Sequence, residues 1–443
     1  MPRSLSHPVR LVPGAFLAAI TVGAVLLMLP VSRADESGPV VMPAAFTSVS
    51  AVCVTGLSTV DPSTFWSPFG QAVILVLVQI GGFGIMTLAT LLSLMVAGRL
   101  GLRSMLVVQS ESHSLDLGDV RAVFRRVITT MLLFESVIAV ILTVRFAVAY
   151  DDSVPTAMWH GLFHSVSAFN NAGFALYSDN MIGFVDDPWI CLPLCVAVVA
   201  GGIGFPVLAE LYRKARRPRH WTVHTRLTVY GSLVLLLVGA IALVSFEWDN
   251  PDTLGPLSAP AKLLAVVTGT VMPRTAGFNT IDYGSVTSES LVVTDALMFI
   301  GGGSAGTAGG IKVATFFLLG YVIWAEIRGE RDVAVAHRRI PGSTQRQALT
   351  VALLGVAVVG LGTIVLLLAS DYPLEVSLFE SVSAFGTVGL STGITGSLSY
   401  TAQVVLMVLM FVGRIGTITV ASALALRSRH RLYTLPEQRP IVG

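Results

Sequence analysis

Three stretches of this chain end in the same way. Phe46-Thr47-Ser48-Val49-Ser50-Ala51 runs on to Thr55-Gly56-Leu57, Phe163-His164-Ser165-Val166-Ser167-Ala168 to Ala172-Gly173-Phe174, and Phe379-Glu380-Ser381-Val382-Ser383-Ala384 to Val388-Gly389-Leu390. In each, the phenylalanine stands ten residues before the glycine. A fourth, weaker copy closes on Arg274-Thr275-Ala276-Gly277-Phe278-Asn279. The chemistry open to such segments is cation desolvation. A bare ion in hydrocarbon costs on the order of tens of kcal/mol. Backbone carbonyls replace its water only if they all turn inward, which needs φ values that glycine reaches without strain. Four such turns around one axis make a carbonyl ring, and a short helix before each adds about half a negative charge at its carboxyl end.

The elements that must hold these turns are membrane helices. The 443 residues are 53% hydrophobic and only 12% charged, and the mean hydropathy is +0.77. Soluble domains carry about 25% charged residues. Apolar runs predict eight spanning helices near 11–30, 69–97, 127–149, 188–212, 226–247, 291–324, 347–369 and 401–426. The half-helices before the glycines are too short to span: Trp159 to Asn170 covers about 18 Å. Irregular backbone at that depth survives only where it is buried or lines water.

Each following helix carries a glycine mark of its own: Gly81-Gly82-Phe83-Gly84, Gly201-Gly202-Ile203-Gly204, Gly301-Gly302-Gly303 and Gly413-Arg414-Ile415-Gly416. These begin 25, 28, 24 and 24 residues after the respective turn glycine. Marks in register with four turns point to duplication of one unit. The expected fold is all-α, with four parallel helix–pore loop–helix repeats at 1–97, 98–212, 213–324 and 325–443. Their pore loops fall near 42–61, 157–179, 260–282 and 374–393.

Charge gives the orientation. Of 28 Lys and Arg, 22 fall in five clusters: Arg3 and Arg10, Arg99 to Arg126, Arg213 to Arg226, Arg328 to Arg346 and Arg427 to Arg439. The alternate connections carry Asp35, Glu36, Asp151, Asp152, Asp249, Asp252, Asp371 and Glu375. By the positive-inside rule both termini are cytoplasmic and the glycine turns open outside, where acidic groups concentrate cations. No cleaved signal peptide is convincing, because Leu11 to Pro30 is long enough to span. The three cysteines make no disulfide or zinc framework, and Cys191 and Cys195 read as packing residues.

The four motifs, Thr55-Gly56-Leu57, Asn170-Asn171-Ala172-Gly173-Phe174, Arg274-Thr275-Ala276-Gly277-Phe278-Asn279-Thr280 and Thr387-Val388-Gly389-Leu390-Ser391, resemble the selectivity-filter segments of the Trk/Ktr/HKT superfamily, nearest to its bacterial KtrB-type membrane subunit. The resemblance covers nearly the whole chain. It implies potassium uptake across the bacterial inner membrane by a channel-like, multi-pass protein, with potassium at Thr55, Gly56, Asn171, Gly173, Thr275, Gly277, Thr387 and Gly389, and with Ala172, Ala276 and Val388 completing the filter. Gly56, where some plant members have serine and favour sodium, implies potassium selectivity; sodium or proton coupling stays open. The run Gly301-Gly302-Gly303-Ser304-Ala305-Gly306-Thr307-Ala308-Gly309-Gly310, with Lys312, is similar to the family's intramembrane gate loop, and Arg414 to its pore-facing arginine. The resemblance further implies a homodimer in the lipid bilayer. It also implies a cytoplasmic KtrA-like ring that binds ATP or ADP, or a Trk-type regulator, docked on the basic loops and the tail. This chain itself holds no nucleotide, and no nucleic-acid partner is expected.

Blander readings stand beside these. Asn170, Asn171 and Asn279 suit hydrogen bonds to the loop backbone. Arg274 and Glu380 suit bracing of the turns, and Asp61 and Asp282 suit either cation entry or turn capping. Lys312 divides evenly between a gate element and an interfacial charge. Glu135 and Arg145, about 15 Å apart on one helix, receive no function. Gly302-Gly303-Ser304-Ala305-Gly306 spells a serine-hydrolase elbow, which would need His160 or His164 at matching depth. A solute symporter with broken helices would show inverted repeats, which this sequence lacks. Neither rival accounts for the fourfold pattern.

Overall fold

The computed structural model describes residues 8–34, 40–98, 120–150 and 153–416. Asp35, Glu36, Asp151, Asp152, Arg3, the start of the Arg99 to Arg126 cluster and everything after Gly416 lie outside the described residues. Among the described residues the regular structure is helical apart from a hairpin of two two-residue strands, β1 (Ala334–Val335) and β2 (Arg338–Arg339).

Four groups of helices follow one another. The first holds α1 (Pro8–Leu27), α2 (Val41–Cys53) and α3 (Pro68–Gly98). The second holds α4 (Val120–Ala149), α5 (Val154–Phe169), α6 (Pro188–Ile203) and α7 (Phe205–Lys214). The third holds α8 (Val223–Glu247), α9 (Ala259–Val271), α10 (Ser288–Phe299) and α11 (Val313–Ile327), and the fourth α12 (Gly342–Ala369), α13 (Leu374–Gly386) and α14 (Tyr400–Phe411). Among the described residues three helices are long and apolar enough to cross a membrane, at Phe124–Ala149, Val223–Glu247 and Gly342–Ala369. The bent pair α6 and α7 makes a fourth if taken as one span.

The short helices α2, α5, α9 and α13 have 13, 16, 13 and 13 residues. Each packs within its own group and also against a helix of another. α3 lies on α5, α6 on α9, α10 on α13, and α14 returns to α2. The packing therefore closes on itself. The apolar clusters follow the same plan: one joins Val54 and Val52 to Phe163 and Phe174, another joins Phe46 and Cys53 to Leu406 and Leu409.

Two helices depart from simple spans. The interruption expected near 301–312 is present, between α10 and α11. The helix expected over 188–212 is not continuous: it breaks at Gly204 and bends by 104°. The cause is local. Gly204 has φ +97, and a Cβ there would strike the Ser304 carbonyl. Phe205 N–H donates to the Ala305 carbonyl at 3.2 Å, so the bend is stitched to the 300–312 loop.

Gly204→Ala should therefore lower stability. The left-handed conformation alone costs a side chain about 1–2 kcal/mol, before the Ser304 contact is counted. Thermal unfolding in detergent checks this; a wild-type melting point would mean the bend does not require glycine.

Candidate functional site

The four turns share one backbone. The residue two before each glycine is left-handed: Val54 (φ 56), Asn171 (φ 61), Thr275 (φ 81) and Thr387 (φ 49). The glycines are left-handed too: Gly56 (φ 94), Gly173 (φ 72), Gly277 (φ 69) and Gly389 (φ 95). Non-glycine residues rarely adopt this region, so four at matched positions mark a conformation imposed by the surroundings. The helix ends supply part of it. Thr55 N–H donates to Ser50 O at 2.8 Å, Ala172 N–H to Ser167 O at 2.7 Å and Val388 N–H to Ser383 O at 2.9 Å, which satisfies carbonyls left over at the helix ends.

The glycines lie against one another in a cycle. A Cβ on Gly56 would meet the Ala172 carbonyl, one on Gly173 the Ala276 carbonyl, one on Gly277 the Val388 carbonyl, and one on Gly389 the Thr55 carbonyl. Each carbonyl belongs to the residue just before the next turn's glycine. A side chain at any of the four positions would force the neighbouring carbonyl to shift. The outer loops repeat the cycle one level up. Ser178 Oγ donates to Asp61 at 2.5 Å, and Met181 N–H donates to Asn279 O at 3.1 Å. Gly284 packs on the Thr392 carbonyl and Gly396 on the Thr59 carbonyl. Partial burial raises the Asp61 pKa, but hydrogen bonds from Ser178 and Ser63 outweigh that and hold it below its ordinary value.

Side chains behind the turns brace them. Ser50 Oγ accepts from Gly56 N–H at 3.0 Å and Ser383 Oγ from Gly389 N–H at 3.2 Å, while Ser167 Oγ donates to Phe174 O at 2.8 Å. Val271 holds this position in the third turn, the weaker copy. A second position, nine residues before the glycine, is taken by Thr47, His164, Thr268 and Glu380. His164 Nε2 accepts from Leu176 N–H at 3.1 Å, Thr268 Oγ1 meets Thr280 Oγ1 at 2.8 Å, and Glu380 accepts from Thr392 N–H at 3.1 Å. Glu380 also accepts from Ser391 Oγ at 2.5 Å and Thr395 Oγ1 at 3.0 Å. His164 Nδ1 lies 2.7 Å from the His160 carbonyl, so both of its nitrogens are engaged.

The helix glycines explain themselves by contact. Cβ atoms on Gly81, Gly201 and Gly413 would strike the carbonyls of Val52, Phe169 and Phe385, each four residues before its turn glycine. In the third group Gly301 meets Gly309 instead, because the helix has given way to the loop. That loop is held by its neighbours. Gly303 N–H donates to Gly202 O at 2.8 Å and Thr307 N–H to Gly201 O at 3.1 Å. Thr307 Oγ1 lies 2.9 Å from the Asn171 carboxamide. Gly309 packs against Thr387 Oγ1, and Lys312 Nζ donates to the Ala308 carbonyl at 2.6 Å.

Arg414 sits in a π-helical turn, Val412–Gly416, at the end of α14. It is 2% exposed, and its Nη1 donates to the Thr307 carbonyl. Nε and Nη2 have no partner among the described residues. The hydroxyls of Thr55 and Thr387 are also buried without a partner.

Several sequence expectations meet the structure here. Asp61 caps the turn Pro62–Phe65, and Asp282 caps Gly284. Asn279 Nδ2 donates to Ile281 O at 3.2 Å. Arg274 reaches Ser232 Oγ at 3.0 Å and the Gly301 carbonyl at 3.3 Å, so it braces the loop as well as the turn. Arg145, left without a role, pairs with Asp187 at 2.7 Å. Glu135 was also left without one, and it bonds to Asn170.

The four turns thus form a closed cycle of backbone, braced from behind by hydroxyl, imidazole and carboxyl side chains. The TrkH family model, a cation transport protein, matches residues 2–430. The chain belongs to the TrkH family. It is 38% identical to the Ktr system potassium uptake protein B of Bacillus subtilis (strain 168), over 94% of this chain and 93% of that one. It is 35% identical to the protein of the same name from Vibrio alginolyticus (98% and 94% covered), and 33% identical to the potassium/sodium uptake protein NtpJ of Enterococcus hirae (100% and 98%). The crystal structure of the potassium transporter TrkH from Vibrio parahaemolyticus shares the fold, with a TM-score of 0.72 at 18% identity over 94% of this chain and 85% of that one.

Ser50→Ala and Ser383→Ala should each lower stability by about 1 kcal/mol, the worth of one hydrogen bond. The two turns touch through Gly389 and the Thr55 carbonyl, so the double variant should depart from the sum of the single ones. Thermal unfolding of the single and double variants measures this.

Proposed function

We propose that the chain is a potassium-selective, channel-like transporter for potassium uptake across the inner membrane. One chain forms one pore from the four groups, taken as repeats at 1–97, 98–212, 213–324 and 325–443. Potassium sheds water at the carbonyls around Gly56, Gly173, Gly277 and Gly389. The observation that carries the reading is the closed cycle in which each glycine lies on the carbonyl before the next. The unpartnered hydroxyls of Thr55 and Thr387 agree with it, as atoms free to meet a cation. The names of the relatives, potassium or potassium/sodium uptake proteins, support the choice of ion.

The 301–312 loop acts as the gate. Its support is chemical: six glycines in ten residues disfavour a helix by about 1 kcal/mol each relative to alanine. Arg414 brings a buried positive charge onto the loop at Thr307, where it opposes a cation until the loop moves. Flow follows the membrane potential, about 2.3 kcal/mol per charge per 100 mV. The reading includes a homodimer, both termini in the cytoplasm, and a nucleotide-binding regulatory subunit on the basic cytoplasmic face.

Rubidium uptake into proteoliposomes, driven by an imposed potential with sodium as competitor, tests the core of this. Gly56→Ser should cut potassium-over-sodium discrimination about tenfold, the value of roughly 1.4 kcal/mol, with expression intact. Unchanged discrimination would remove the filter assignment. Deleting 303–308 should raise flux in the absence of any partner, and equal or lower flux from a folded deletion would remove the gate.

A further inference from the structure

Glu135 stands at the middle of α4, a 30-residue helix, and is 4% exposed. A carboxyl at that depth is expensive and seldom idle. Both oxygens accept an amide N–H: Oε2 from Gln79 Nε2 on α3 at 3.1 Å, and Oε1 from Asn170 Nδ2 at 3.1 Å. Asn170 Nδ2 also donates to Gln79 Oε1 at 2.9 Å and to the Val166 carbonyl at 2.9 Å. The three side chains close a triangle between α3, α4 and the end of α5. Ser165 Oγ adds a bond to the Glu135 carbonyl at 2.6 Å. No basic side chain among the described residues pairs with Glu135, and Arg145 is committed to Asp187.

Asn170 is where this triangle meets the cycle of turns. It is the C-cap of α5 and is followed directly by left-handed Asn171. The corresponding position, three before the glycine, is Cys53, Arg274 and Gly386 in the other turns. Of these, Arg274 is tied to the 301–312 loop, at Gly301 O. An apolar side chain in place of Glu135 would be cheaper to bury. What it would lack is two acceptors at fixed spacing, one for each amide.

We propose that Glu135 is a positioning residue for the second turn: through Asn170 it fixes how the chain enters Asn171–Gly173, and so it helps set ion selectivity. The inference rests on the filter reading above. It does not require Glu135 to touch an ion.

The test is an exchange of partners, read as potassium-over-sodium discrimination in proteoliposomes. E135Q sets an amide donor against the donors of Gln79 and Asn170, and should reduce discrimination about tenfold. The double variant Q79E/E135Q can rebuild all three bonds with the carboxyl on the other helix, and should restore it. E247Q alters another buried carboxyl, one that accepts from Thr287 N–H at 2.9 Å at the outer end of α8, and should leave discrimination as in wild type. Wild-type discrimination in E135Q would overturn the proposal. So would a double variant no better than the single when both are folded. A wild-type protein without discrimination would instead overturn the filter reading, and this inference with it. If E135Q fails to fold, Q79A removes the two bonds that Gln79 makes in the triangle and leaves Glu135 with Asn170 alone, which should show about a threefold loss; no loss in a folded Q79A overturns the proposal.

Discussion

The structure depends on backbone meeting backbone without a side chain between. Each turn glycine rests on the carbonyl that precedes the next glycine. Each following helix, the third excepted, rests a glycine on the carbonyl at the end of a short helix. Polar backbone in a membrane interior must find partners within the protein. Here the helix-end carbonyls accept from turn N–H groups, and the turn glycines Gly56 and Gly389 donate their N–H to serine hydroxyls. The carbonyls of the cycle are crowded against the next turn instead. That crowding needs outside support, and the ring of braces behind the turns supplies it.

The third turn is the exception that ties the others to the loop. It has lost its serine to Val271 and gained Arg274, which reaches the Gly301 carbonyl. Its following helix stops at Phe299, and the loop then runs to Lys312 beneath the turns. The loop bonds to α6 through Gly201 and Gly202, to the α6–α7 bend through Ala305, and to α14 through Arg414. Its position is therefore shared among three of the four groups. A movement at the bend near Gly204 or at the π-helical turn would be felt there directly.

What the sequence made legible follows from what it encodes by residue type. The turn glycines and the helix glycine marks stood out because the requirement is a missing Cβ, and only glycine meets it. The left-handed residues two before each glycine are hidden, since valine, asparagine and threonine occupy them, none favouring that conformation as glycine does, and their φ values are set by neighbours. The break at Gly204 was hidden for a related reason. A glycine pair in an apolar helix ordinarily marks close packing, and only the contact with Ser304 and Ala305 turns it into a bend. Glu135 was passed over because its nearest sequence partner, Arg145, lies too far along the same helix. Its true partners, Gln79 and Asn170, stand 56 and 35 residues away. Two of the eight predicted spans are not continuous helices: the 188–212 run bends at Gly204, and the 291–324 run gives way to the loop between α10 and α11.

The position nine residues before each glycine carries a lesson of another kind. Threonine, histidine, threonine and glutamate occupy it, and three of the four hold the residue three past the glycine by different chemistry. Selection on such a site acts on reach and on accepting capacity, and leaves identity free to drift. Aligned by side chain, the four segments look less akin than they are. Their likeness is carried by the backbone, where the same left-handed torsions recur under different side chains.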